Sequence, residues 1–303
     1  FRSGINLDWQ VDADASDGER RAALANWLTD RRHPLVWRSI VNRMWQYHFG
    51  RGIVETPNDF GRMGAIPTHP ELLDWLAVEF RDGGDWLKQQ SMKDLHRLIV
   101  TSSVYRQVSL EAEEKSVIDG SNQYLWKMSR RRLEAEEIRD SILQISGAMD
   151  DKMGGPGYYL FKLERTAHSP HYEYHKFDPR DPKSHRRSIY RFIVRSQPDP
   201  WMTTLDCADS SQSTPKRNET LTSLQALSLL NSRFNLVMAE TFAELLAEEQ
   251  KTLEQQVRQA ARLVLQRDPD ESEVDSFMAY ATKHGTKNLC RFLFNLSEFI
   301  YID

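Results

Sequence analysis

Cysteine is scarce in this chain. Only Cys207 and Cys290 occur among 303 residues, and no CxxC pair exists. That excludes a zinc ribbon, a thioredoxin-type redox motif and a CxxCH haem attachment, so the chain carries no haem motif of its own. Two cysteines leave the redox compartment open. A hydrophobic run of about 18 residues is also missing, so no membrane span is expected. Charge of one sign is missing too, with 40 basic residues against 44 acidic ones and a net charge of −4. A dedicated nucleic-acid binder carries a strong basic excess, so no nucleic-acid partner is expected. There is no repeat of fixed period and no low-complexity tract. GGPG at 154–157 lacks both GK[ST] and a strand-helix frame, so it reads as a turn and not as a phosphate cradle. The opening, FRSGINLDWQ, has no Met, no basic stretch and no apolar run, and reads as a mature or excised piece of something longer.

What is present is apolar and aromatic. Hydrophobic residues make up 40% of the chain and it holds eight tryptophans, enough for a large core and against disorder. Most of it reads as capped helices. Asp17 is the expected cap of a helix at about 18–30. HPLVWRSIVNRMWQYHFG places Val41, Trp45 and Phe49 at helical spacing beside Val36, Ile40 and Met44, with Gly50 as the stop. THPELLDWLAVEF reads as a capping box on Thr68 with Glu71, and SMKDLHRLIVTSSVY starts the same way with Ser91 and Asp94. RRRLEAEEIRDSILQISGAM predicts a long helix over about 130–149. NETLTSLQALSLLNSRF, LVMAETFAELLAEE and VRQAARLVLQ predict three more. Asp270 caps another that Gly285 ends, and KNLCRFLFNLSEFI predicts the last.

The middle differs. GGPGYYLFKL (154–163) and RRSIYRFIVRS (186–196) are aromatic, β-branched and short, and each predicts a strand. The expected fold is therefore mainly α: one multi-helix globular domain over 1–303, with a small two-stranded β insert at 154–217. The connection between the two strands is HSPHYEYHKFDP and the residues after it. His168, His171, His175 and His185 fall there, four of the nine histidines.

Three chemistries compete for that loop. Imidazoles spaced by three and four residues suit a transition metal, with His168, His171, His175 and His185 as the ligands. Against this, Pro170 and the tyrosines break a regular helix, and the imidazoles can instead bond locally or face water. A substrate cleft is the second reading: His171 and His175 as acid/base, Tyr172 and Tyr174 as stacking faces. Strand alternation would put Arg187, Arg191 and Arg195 on one side, suited to carboxylates or sulfates. The plainer reading pairs these arginines with Glu173, Asp178 and Asp181. In LDCADSS, Asp206 and Asp209 flank Cys207, and a loop histidine would activate it as a nucleophile. No protease-type signature surrounds it, and a buried structural cysteine is the better expectation. Asn42, Arg43, Trp45, His48, Asn58 and Asp59 form a fourth cluster, which reads as a tie between a helix and its neighbouring loop.

Long stretches carry a family resemblance. HPLVWRSIVNRMWQYHFGRGIVETPNDFGRMGAIPTHPELLDWLAVEF, DLHRLIVTSSVYRQ, RRRLEAEEIRDSIL, RRSIYRFIVRS, ETLTSLQALSLLN and LFNLSEFIYID resemble a planctomycete domain of unknown function, over about 20–303. That domain forms the C-terminal part of large proteins with a second uncharacterised domain and often a cytochrome c domain. PHYEYHKFDP looks like a feature of one subgroup. The family carries no established activity. Its haem-bearing relatives imply an extracytoplasmic place, periplasmic or cell-surface, and partners among other domains or proteins of such a complex. Neighbouring sulfatase-like proteins in relatives imply polysaccharide. The resemblance thus favours a binding or assembly module. The alternative is an enzyme, metal-assisted or not, acting on an anionic carbohydrate through the His loop.

Overall fold

The computed structural model describes residues 11–165 and 169–302. The expected class is met: the described residues are mainly helical and carry a small antiparallel strand pair. The chain divides into two compact units at Arg131/Arg132.

The first unit holds α1 (Asp17–Leu28), α2 (Val36–Phe49), α3 (Pro70–Asp82), α4 (Met92–Thr101) and α5 (Glu113–Ile118). Ser16, not Asp17, caps α1, through a capping box with Glu19. On α2 the expected stripe is the buried one: Val41, Trp45 and Phe49 pack with Leu73, Leu76 and Phe80 of α3 and Leu95 and Ile99 of α4. Gly50 takes the left-handed conformation (φ 73°) that ends α2, a position costly for a residue with a Cβ. His69, not Thr68, precedes α3 as its cap residue. It makes no side-chain capping bond, and Pro70 opens the helix. Ser91 caps α4 as expected, its Oγ accepting from Asp94 N.

The second unit holds α6 (Ala135–Ile145), α7 (Pro200–Thr204), α8 (Ser223–Asn231), α9 (Arg233–Glu249), α10 (Leu253–Leu265), α11 (Glu271–His284), α12 (Thr286–Leu293) and α13 (Ser297–Ile300). Its core joins Ile138 and Ile142 of α6 to Met238, Phe242 and Leu246 of α9, Val257 and Val264 of α10, and Leu289 and Leu293 of α12. Phe242 and Phe294 stack at 5.9 Å. Capping boxes start α8, α10 and α11, and Asp270 and Gly285 bound α11 as the sequence predicts.

Two expectations are corrected here. The helix expected over 130–149 is shorter, Ala135–Ile145, with Glu134 as its cap residue. Tertiary pairing explains the late start. Arg132 is buried with its Nη1 on Asp206 Oδ2 at 2.9 Å and on the Thr220 carbonyl at 2.7 Å, which holds the chain extended there. The strands are also displaced. The antiparallel pair is Lys162–Arg165 with Pro170–Glu173, in the register Lys162–Glu173, Leu163–Tyr172, Glu164–His171, Arg165–Pro170. The stretch 186–196 is not a strand. It holds a 3-10 turn, Ser188–Tyr190, and among the described residues its backbone pairs with 154–163 in β fashion only at an isolated bridge between Tyr158 and Arg191. Side chains take the hydrogen bonds a ladder would need: both Asp140 carboxylate oxygens accept from Ser188 N, at 2.8 and 3.0 Å.

Candidate functional site

Buried arginines organise the non-helical part of the second unit. Arg139 on α6 is 1% exposed. Its Nη2 donates to the Ser184 carbonyl, and its Nη1 to the Arg186 carbonyl at 3.0 Å and Ser188 Oγ at 3.3 Å. Asp140, one residue on, also accepts from Ser188 Oγ at 2.7 Å. Arg186 is buried as well. It donates to the carbonyls of Lys152, Gly154 and Pro156 and stacks over Tyr190 at 3.9 Å. An isolated buried cation is costly, and hydrogen bonds from a charged donor offset that at about 1.5–3 kcal/mol each. Two arginines thus do for this segment what a β-ladder would have done. Burial holds the Arg139 guanidinium below its ordinary value.

Beside Arg139 lies a cavity of about 300 Å³. Besides Arg139 and Leu160, three pieces of chain wall it. The first is Tyr174–Phe177 with Pro179, following the strand pair. The second is Asp199–Trp201, at the start of α7. The third is Ser232–Phe234, at the start of α9. Tyr174, Phe177, Trp201 and Phe234 bring aromatic rings to the wall, with Trp201 and Phe234 5.3 Å apart at 62°. The Tyr174 hydroxyl donates to the Gln197 carbonyl at 2.8 Å, and burial pushes its pKa up to about 12. Asp199 is 7% exposed and caps α7, its Oδ1 accepting from Trp201 N and Met202 N at 2.9 and 3.2 Å. Burial raises its carboxyl above the ordinary carboxylate value, and the backbone bonds and nearby Arg191 and Arg139 only partly oppose it. Arg233 is exposed, and its Nη1 donates to the carbonyls of His175 and Phe177 at 2.8 and 3.2 Å.

A second surface is the strand pair itself. Between 162 and 195 nine Lys or Arg stand against four Asp or Glu, in a chain whose net charge is −4. Lys176 bonds to Glu164, and Arg180 to Glu240. Lys162, Arg165, Lys183 and Arg187 are exposed and make no ion pair among the described residues. Aromatic rings lie among these cations. Phe161 contacts Tyr172, Tyr174, Tyr159 and Phe192, and of these Tyr159 and Phe192 are 56% and 47% exposed.

The residues singled out from sequence separate into groups. Tyr174 and His175 meet in the cavity wall, where His175 Nδ1 lies 3.2 Å from Glu173. Tyr172 and His171 sit on the second strand, His171 opposite Glu164. His185 stands elsewhere, its Nε2–H donating to the Pro179 carbonyl at 2.8 Å. His168 lies outside the described residues. Among the described residues no three His, Cys, Asp or Glu side chains come together as a metal-binding group. The arginines do not form the row that a strand would give. Arg187 is exposed, Arg195 Nη2 donates to the Ser211 carbonyl, and Arg191 turns inward to Cys207.

Cys207 is half-buried. Its Sγ–H donates to Glu136 Oε1 at 3.3 Å, and Arg191 Nη2 reaches the sulfur at 3.5 Å. Arg217 Nη2 lies 3.3 Å from both Glu136 and Glu134. Burial and then the Glu136 charge push the thiol above its ordinary value. Burial also pushes Glu136 up, but Arg217 and the hydrogen bonds outweigh it and hold the carboxyl below its ordinary value. A strong acid facing a weak one makes a poor base for it. The pair is a hydrogen bond and not an activated nucleophile. Asp206 and Asp209 are likewise occupied, by Thr220, Gln225 and Arg132 and by Ser211. In the first unit the fourth cluster does tie α2 to the following loop, but not through an arginine and an aspartate: Asn42 bonds to both N and O of Val54, Arg43 to Asn58, and Asp59 accepts from Gly61 N.

Arg139, Asp199, Trp201 and Arg233 escaped the sequence reading. One of them left a signal, because the Asp-Pro pair at 199–200 is a helix start. The others sit in helices where one polar or aromatic residue among many is unmarked.

A mainly helical unit with a hairpin-flanked cavity defines the structural class. By descent the chain belongs to the PSD1 family, proteins of unknown function (DUF1553), whose model matches residues 20–281. No curated protein matches the chain. No solved structure matches it either.

Proposed function

We propose that the second unit is a binding module that docks an anionic polysaccharide on the strand pair and its flanks. The observation that carries this is the local charge. A segment with nine cations and four anions, four of the cations exposed and without an ion pair among the described residues, sits in a chain that is acidic overall. Exposed Tyr159 and Phe192 between those cations offer ring faces to the apolar sides of sugars. Arg187 and Arg195 reach solvent and suit carboxylate or sulfate groups. The family resemblance supports an extracytoplasmic setting and partners in a polysaccharide-processing or cytochrome-linked assembly.

The test is retention on immobilised polyuronate and sulfated polysaccharide, with neutral dextran as control. Wild type should be retained at low salt and released as salt rises. Replacing Lys162, Arg165 and Arg187 with Ser should abolish retention. Equal retention on dextran, or an unchanged triple variant, sinks the proposal.

The facing pairs His171–Glu164 and His175–Glu173 favour a second reading, an enzyme on the same substrate with these imidazoles as acid and base. It requires that His171→Ala abolish turnover of a polyuronate while far-ultraviolet circular dichroism stays intact. Turnover that persists in this variant removes His171 from the mechanism.

A further inference from the structure

We infer that the cavity between Tyr174, Trp201 and Phe234 is a separate site for one small ring bearing a single carboxylate, the ring held between aromatic faces and the acid addressed by Arg233. At about 300 Å³ the space is at the small end of ligand pockets, enough for one ring with its substituent and not for an oligomer. The walls favour a flat apolar body. Tyr174, Phe177, Trp201 and Phe234 supply four aromatic side chains, and Trp201 and Phe234 meet edge to face, which leaves ring surface to the space between.

Aromatic walls alone would also suit an organic cation. The charge inventory decides against it. Two guanidiniums, Arg139 and Arg233, line the cavity, against one carboxyl, Asp199. Arg139 spends Nη1 and Nη2 on carbonyls and Ser188, with the Asp140 carboxylate 3.5 Å away as its counter-charge, and its guanidinium lies 5.4 Å from the Phe234 ring centre. Asp199 is buried among these groups, and its Oδ1 is taken up by the backbone N–H groups of Trp201 and Met202, so that oxygen is not free to meet a cation in the cavity. Arg233 commits Nη1 to two carbonyls, and this fixes the guanidinium at the rim. A carboxylate there meets a pre-oriented fork.

Such a ring acid has two sources, a uronic acid at a glycan end or a free aromatic acid. Benzoate and glucuronate therefore serve as probes, followed by saturation-transfer nuclear magnetic resonance and calorimetry on the whole chain. At least one should bind in the millimolar range or tighter. Benzoate alone assigns the site to aromatic acids, glucuronate alone to sugar acids, and binding of both to either class. Benzamide should bind about tenfold more weakly than benzoate, the loss of one charge-assisted contact. Arg233→Gln should weaken the acid by a similar factor and leave benzamide unchanged. Trp201→Leu should weaken both ligands. No binding by either acid overturns the assignment, and so does benzamide binding as well as benzoate. The benzamide comparison uses only wild type, so it stands even where Arg233→Gln fails to fold. Polysaccharide retention is read on other residues, so either proposal can fail alone.

Discussion

The helices at 223–302 and the segment at 150–217 are held together in different ways. In the first, hydrocarbon does the work: Phe242, Leu246, Val257, Ala261, Leu289 and Leu293 are fully buried and meet at helical spacing. In the second, the centre is ionic. Arg139 and Arg186 bind six main-chain or hydroxyl oxygens between them, where the composition predicts a strand ladder. A hydrocarbon core tolerates exchange of similar shapes. A guanidinium hub tolerates little, because each lost N–H strands a buried carbonyl.

The sharpest way to break the contrast is Arg139→Ala. It should cost about 3–5 kcal/mol in chemical denaturation, as for other buried charged groups whose partners are left behind. Arg139→Lys should recover little of this, since an ammonium lacks the planar fork. Leu246→Met, at an equally buried site, should cost under about 1.5 kcal/mol. Similar losses for these two conservative changes would erase the distinction.

How much of each region can be read from sequence follows from the same difference. Hydrocarbon packing leaves a local period, so Val41, Trp45 and Phe49 of α2 were found, as were the limits of α11 at Asp270 and Gly285. Arginine packing leaves none. The partners of Arg139 lie at 184, 186 and 188, far along the chain, and Arg139 itself reads as one more polar helix residue. The stretch 186–196 has strand composition, yet Asp140 and Arg139 claim its start and turn it. The site was half legible for this reason. Tyr174 and His175 stood out by composition, whereas Arg139 and Arg233 matter only through contacts between distant segments.

Acidity offers a second, smaller test. The folded carboxyl of Asp199 titrates above its ordinary value of 3.8, chiefly through burial. Within that window the folded chain binds more protons than the unfolded one. The stability from this group is therefore full below the ordinary value and is lost as pH rises through the raised one. Asp199→Asn retains a capping oxygen and should flatten that part of the stability-pH curve, without loss at neutral pH. An unchanged curve above the ordinary value in the variant would show that burial does not raise this carboxyl.

The surface of the helical region should matter least. Arg267 bridges Glu273 and Glu298 at 2.6 and 2.5 Å but is 41% exposed, so Arg267→Ala should cost no more than about 1 kcal/mol, and less in high salt. The two thiols report the contrast without mutation. Cys290 sits in the hydrocarbon core, fully buried with its pKa pushed up to about 12, and iodoacetamide should leave it unlabelled in the folded chain. Half-buried Cys207 should label first by mass spectrometry.

Ser232 alone separates α8 from α9, as the C-cap of one and the N-cap of the other. Loop length is usually where related proteins drift, but this corner has one residue and it serves both helix ends. One inserted residue would turn α9 by about 100° about its axis. The apolar stripe of α9 would leave the core, and Arg233 and Phe234 would leave the cavity wall in the same motion. Lineages that keep this cavity should therefore show insertions on either side of the corner and none within it.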